Sequence, residues 1–125
     1  MGTLQRAITF KNMLEIVDIF GEANPRMELQ TVVVFCTICR ELDMREERPL
    51  NITELGNLIG LSSPSISRNV AYLTAHGDAY TRGKGGEGFG WIELKPDPSH
   101  LSKKIITLTA KGRAVRDKIV ERFVQ

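Results

Sequence analysis

The 125-residue sequence holds only two cysteines, one tryptophan and 6% aromatic residues, and neither sign of charge dominates it. No apolar run reaches about 18 residues, so no membrane span is expected. The first residues hold no apolar stretch of about 7–15 residues before a cleavage signal, so no secretory leader is expected and the chain is placed in the cytoplasm. Two cysteines are too few for a disulfide framework. Cys36 and Cys39 have C-x-x-C spacing. They lie in a long apolar run with no second pair to complete a four-ligand zinc site, so both are expected to serve as small packing residues. His76 and His100 stand apart in sequence without metal-ligand spacing. No Gly-x-Ser-x-Gly or His-Glu-x-x-His motif occurs, and no nucleophile–base pair is recognisable. Neither an enzyme nor a cofactor or metal is expected. The length fits one domain with its own core and excludes a large catalytic barrel.

The net charge is +2, but its distribution is uneven. Residues 1–61 carry 6 basic and 9 acidic groups, a net of −3, and residues 62–125 carry 11 basic and 6 acidic, a net of +5. A basic half can turn a positive face toward phosphate; scatter over a solvated surface is the alternative.

Apolar residues at helical spacing predict a helix over residues 4–20, ending before Gly21 and the Asn24-Pro25 turn. A second helix is expected over 27–42, broadly apolar and the most enclosed, with its three valines tolerated through burial. Asn51-Ile-Thr-Glu54 has the pattern of a capping box, with Leu55, Leu58 and Ile59 as the apolar face behind it. Gly60 stops that helix, and Ser62 or Ser63 with Pro64 starts the next. In the latter, Ile66, Val70 and Leu73 fall on one side, while Ser63, Ser65, Arg68, Asn69 and Tyr72 point to the other. Two short helices joined by a tight turn, the second with a small polar outer face, are what a helix-turn-helix requires. A plain pair of surface helices is the alternative.

Residues 79–82 read as a short strand, and 83–90 hold five glycines. No Gly-Lys-Ser/Thr ending follows, so a nucleotide-binding loop is not indicated. The segment reads as a surface loop, or as a basic loop touching nucleic acid through Arg82 and Lys84. Residues 91–95 and 104–109 alternate as two strands of an antiparallel hairpin with a long tip over 96–102. A last helix is expected over 111–123, with Val115, Ile119, Val120 and Phe123 inward and a basic outer face.

The order helix, helix, helix-turn-helix, hairpin, helix defines an α+β winged helix-turn-helix, one domain over 1–125. Its helix-turn-helix covers about 52–76, a Gly-rich insertion about 78–90 and the wing about 91–109. From roughly Leu29 to Phe123 the sequence also resembles the MarR-type bacterial transcriptional regulators. The resemblance rests on Ile52-Thr-Glu-Leu-Gly-Asn-Leu-Ile-Gly-Leu-Ser62 and Ser65-Ile-Ser-Arg68, which are moderately specific. It rests more firmly on Trp91-Ile-Glu-Leu-Lys-Pro-Asp-Pro98 and Ile106-Thr-Leu-Thr-Ala-Lys-Gly112.

The resemblance implies a dimeric regulator of transcription, commonly a repressor, that binds pseudo-palindromic double-stranded DNA. Its recognition helix enters the major groove and its wing the adjacent minor groove. Mapped onto this chain, the expected DNA-facing residues are Ser65, Ser67, Arg68 and Asn69. The residue pattern adds Ser63 at the start of that helix, Lys103 and Lys104 of the wing, and Arg82 and Lys84 of the Gly-rich segment as groups placed to meet DNA. Three departures accompany it. The wing tip reads Asp97-Pro-Ser-His-Leu-Ser102, where the family often has Asp-Pro-x-Asp-Arg-Arg. The segment 78–90 is inserted. The sequence stops at Gln125, short of the family's further C-terminal helix, which leaves open whether the N- and C-terminal helices form the homodimer. No effector is identifiable. A winged helix used for protein–protein contact, or an accessory protein binding DNA without sequence preference, are the competing readings.

Overall fold

The computed structural model describes residues 2–76 and 88–123. In chain order it contains α1 (Thr3–Ala23), α2 (Leu29–Arg45), α3 (Ile52–Ile59), α4 (Ser63–Leu73), strands β1 (Ile92–Asp97) and β2 (His100–Leu108), and α5 (Ala110–Phe123). Among the described residues, no helix is long and apolar enough to cross a membrane. Among the described residues, five helices and one antiparallel hairpin make an α+β winged helix.

The core forms where α2, α3, α4 and the hairpin converge. Val34, Phe35 and Ile38 of α2 meet Leu55 of α3, Ile66, Val70 and Leu73 of α4, and Ile92 and Ile106 of the strands. Trp91 sits at its centre, its ring centroid 4.9 Å from Phe35, 5.9 Å from Phe20 and 5.2 Å from Phe89. Burying rings of this size contributes more than any other contact in so small a domain.

Local chemistry sets the element ends. Asn51 Oδ1 accepts from the Glu54 backbone N–H at 2.8 Å and caps α3 as expected. The reciprocal half of the capping box does not form, because Glu54 turns to Arg45, whose Nη1 donates to it at 3.0 Å. Gly60 closes α3 in the left-handed region at φ +85, where a side chain is strained. Ser62 caps α4, with Pro64 in its first turn. α1 does not stop at Gly21: it runs through to Ala23, since one glycine costs a helix only about 1 kcal/mol. α2 begins at Leu29 and extends past Leu42 to Arg45.

The hairpin is tighter than its sequence suggests. Its strands pair from Ile92↔Leu108 to Pro96↔Lys104; a register shift then leaves Leu101, Ser102 and Lys103 unpaired before Asp97↔His100 closes the turn over Pro98 and Ser99. Asp97 Oδ1 accepts from the Ser99 N–H at 2.9 Å, a side-chain turn of the kind aspartate favours. On the other side of β2, Asn51 bridges Ile105 and the Ile106 N–H donates to Leu50 O at 2.9 Å, adding a short third edge.

Apolar assignments change on three helices. Val115 and Ile119 of α5 pack on the core, but Val120 and Phe123 are exposed. On α1, Phe20 is buried and Ile16 packs beside the core, whereas Leu4, Ile8, Leu14 and Val17 are exposed. Leu58 of α3 is exposed too.

Arg45 fastens the end of α2 to α3. Its side chain is 7% exposed and reaches Glu41 at 3.2 Å, Glu54 at 3.0 Å and the Pro49 carbonyl at 3.1 Å. Arg45→Ala should cost roughly 2–3 kcal/mol in urea unfolding, less than a fully buried pair because Glu54 is partly solvated. A loss under about 0.5 kcal/mol would show that the network is only a surface decoration.

Candidate nucleic-acid interface

α4 is held from behind and left free in front. Ile66, Val70 and Leu73 lie in the core, and Gly56 of α3 lets α4 approach closely: a Cβ there would meet Ile66 Cγ2 at 3.3 Å. Its C-terminal end is tied to the segment that leads into the wing. Phe89, Gly90 and Trp91 donate backbone N–H groups to Tyr72, Thr74 and Leu73 carbonyls at 2.9, 3.2 and 2.8 Å. The helix ends at Leu73, short of the bound near residue 76 expected for the helix-turn-helix.

On the outer face Ser63, Ser67 and Arg68 are exposed and Ser65 is half-buried. Ser62 Oγ accepts from the Ser65 N–H at 3.4 Å and donates to Ser65 Oγ at 3.1 Å, so the first turn keeps small groups close to the backbone. The positive end of a helix dipole and short hydroxyl side chains suit approach to an anionic backbone. Arg68 makes no side-chain hydrogen bond or ion pair with the described residues and extends from this face.

Asn69 is corrected. The expectation that it points outward fails: its side chain is fully buried. Its Oδ1 accepts from Thr31 Oγ1 at 2.8 Å, and its Nδ2 donates to Gln30 Oε1 at 3.0 Å and to Ser65 O at 2.9 Å. One position beyond Arg68, the helix has turned about 100°, enough to carry the side chain from the outer face to the seam with α2. Asn69 therefore positions α4 and does not itself present a group to a partner. Gln30 and Thr31 had no signal in the sequence, because they belong to another helix and meet α4 only in the fold.

In the wing, Lys104 is exposed opposite Pro96, and Lys103 is half-buried. Ser102 Oγ lies 2.8 Å from His100 Nδ1, and Leu101 is exposed beside the turn. Arg82 and Lys84 lie outside the described residues, as does the strand expected over 79–82.

Cys36 is also corrected: it is exposed, whereas Cys39 is half-buried beside the core. Both line a groove of about 150 Å³ against Arg116, Ile119 and Val120 of α5. Partial burial raises the Cys36 thiol, and burial first and the neighbouring Cys36 second push Cys39 up to about 12. Both are neutral thiols at pH 7. Among the described residues, no three His, Cys, Asp or Glu side chains are grouped to hold a metal.

No protein-family model matches the chain, and no curated protein matches it in sequence. Solved structures do match its fold. The transcriptional regulator Tm0710 from Thermotoga maritima is 19% identical with a TM-score of 0.56, over 95% of this chain and 69% of that one. A cysteine-to-serine mutant of MarR from E. coli, complexed with operator DNA, is 16% identical with a TM-score of 0.55, over 98% and 72%. The heme sensor PefR from Streptococcus agalactiae, in complex with heme, is 15% identical with a TM-score of 0.55, over 98% and 74%. The fold is a winged helix of the MarR type.

Proposed function

We propose that this chain is a sequence-specific regulator of transcription that binds double-stranded DNA through α4, acts as a repressor in the cytoplasm, and works as a homodimer through α1 and α5. The observation that carries the reading is the outer face of α4. Exposed Ser63, Ser67 and Arg68 stand on a helix anchored on its opposite side to the core and to α2. A helix built this way fits a major groove about 12 Å wide. Arg68 reads a base edge, and Ser63, Ser65 and Ser67 let the helix approach. Lys103 and Lys104 contact phosphate and set the register of the wing. The fold's likeness to a MarR structure solved with operator DNA supports DNA as the partner. The homodimer is supported by the exposed apolar side chains of α1 and by exposed Phe123 on α5, the helix that α1 packs against.

Arg68→Ala tests base reading. It should relax preference at one base position by about 1–3 kcal/mol, roughly 5- to 150-fold, with little change on random DNA. Lys103→Ala should weaken every sequence alike and lower the salt slope by about one. Equal, sequence-blind losses in both variants would overturn the role given to Arg68.

A further inference from the structure

The carbonyl oxygen of Ser65 can only accept hydrogen bonds. Asn69 Nδ2 lies 2.9 Å from it, which fixes the amide nitrogen on that side. Its Oδ1 is then left to accept from the Thr31 hydroxyl at 2.8 Å. The second Nδ2 hydrogen is aimed at Gln30, 3.0 Å away, and a donor there obliges Gln30 to present Oε1. The Gln30 NH2 group therefore faces away from the seam. It makes no hydrogen bond to any described residue, and Gln30 itself is half-exposed. One buried amide thus sets the polarity of a second, partly solvated amide beside the N-terminal half of α4.

We propose that Gln30 is a DNA contact contributed by α2, outside the helix-turn-helix. Its outward NH2 group donates to a phosphate oxygen flanking the groove that α4 enters, and Asn69 holds it in that direction. This rests on the reading of α4 as a DNA-binding helix and deepens it. The seam then does two things at once: it fixes α4 on α2 and it aims a donor of α2 at the same nucleic acid. A neutral donor displaces no counterion, so Gln30 adds affinity on every sequence without adding to the salt slope.

Substitutions at one position separate this from a purely structural role. Gln30→Glu keeps an oxygen for Asn69 but replaces the outward donors with negative charge. Gln30→Lys loses the acceptor but restores outward donors. Thr37→Glu, two turns further along α2, supplies the same charge change away from the seam. Binding to random and to selected double-stranded DNA is measured at about 150 mM salt, with thermal melting recorded for each variant. The expected result for Gln30→Glu is a loss of about tenfold or more on all sequences with near-wild-type melting. Gln30→Lys should bind at least as tightly as wild type despite lower melting, and Thr37→Glu should change binding less than about threefold. If Gln30→Glu binds like wild type or like Thr37→Glu, or if Gln30→Lys binds as poorly as Gln30→Glu, the contact is wrong while the DNA-binding reading stands. If wild type retains no DNA, both fall together.

Discussion

Replacing Gly112 with alanine should destabilise the fold by about 3 kcal/mol or more, although the change adds one methyl group to a surface helix. A Cβ at Gly112 would stand 1.9 Å from the Trp91 carbonyl oxygen and 2.8 Å from its carbonyl carbon. Neither is the movable end of a side chain. That oxygen also accepts from the Thr109 N–H at 3.1 Å, and the Gly112 N–H donates to Thr109 Oγ1 at 3.0 Å. Thr109 Oγ1 in turn donates to Gly90 O at 2.6 Å. Relief would require shifting α5 or moving Trp91, whose ring is wedged among Phe20, Phe35 and Phe89. A fall in melting temperature on the order of 10 °C or more is expected. Gly21→Ala is the contrast: no atom lies within 4 Å of its Cβ, and it sits within α1. It should be neutral or stabilising by up to about 1 kcal/mol. Calorimetry or urea unfolding checks both, and a Gly112→Ala protein within about 1 kcal/mol of wild type would contradict the close approach.

Gly112 shows what a sequence conceals and what it displays. Its segment, Ile106 to Gly112, carried the family resemblance, but the physical demand for glycine lies in a carbonyl at Trp91, across the domain. Elements governed by neighbours in sequence were legible: the Asn51 and Ser62 caps, the left-handed Gly60, the alternation of the wing strands and the inward side of α4. Elements governed by distant partners were not. Glu54 was drawn from its capping box by Arg45, a charged partner on the preceding helix. Asn69 has the residue type of a base reader, and only the presence of Thr31 and Gln30 makes it a buried clamp. Helical periodicity marked the apolar residues of α1 and α5 without distinguishing those facing this chain's core from those left outside. The candidate site divides in the same way: Ser63 and Arg68 are exposed as their spacing suggested and Ser67 as the resemblance implied, whereas the clamp from α2 needed the fold.

A double substitution Phe10→Glu, Leu14→Glu should turn a dimer into a monomer and lower affinity for a two-half-site operator by about 100-fold or more. Phe10, Leu14 and Val17 recur one turn apart on α1 and are 63%, 66% and 62% exposed, and Phe123 of α5 is 67% exposed. Large apolar side chains gathered on one face mark a surface that another protein covers. α1 packs against α5, and Arg122 pairs with Glu15 across them at 3.4 Å, so the two helices present this surface together. A second copy of the chain is the occupant in the homodimer proposed above. Linking two DNA-binding helices makes the second half-site contact intramolecular, and losing that link forfeits about 10²–10⁴ in avidity. The substituted side chains support no core contact, so melting should hold while the sedimentation coefficient falls. Retention of the dimer would place the interface elsewhere, and a monomeric wild type would remove it.

In the function proposed above, α4 reads DNA sequence as one of a symmetric pair. Selection from random double-stranded DNA by the purified chain at about 150 mM salt, followed by sequencing of the retained pool, tests it most directly. An enriched inverted repeat with half-sites about 10 base pairs apart, centre to centre, is the expected result. Retained DNA without sequence enrichment would contradict base reading by α4, and no retained DNA would contradict the DNA-binding reading altogether.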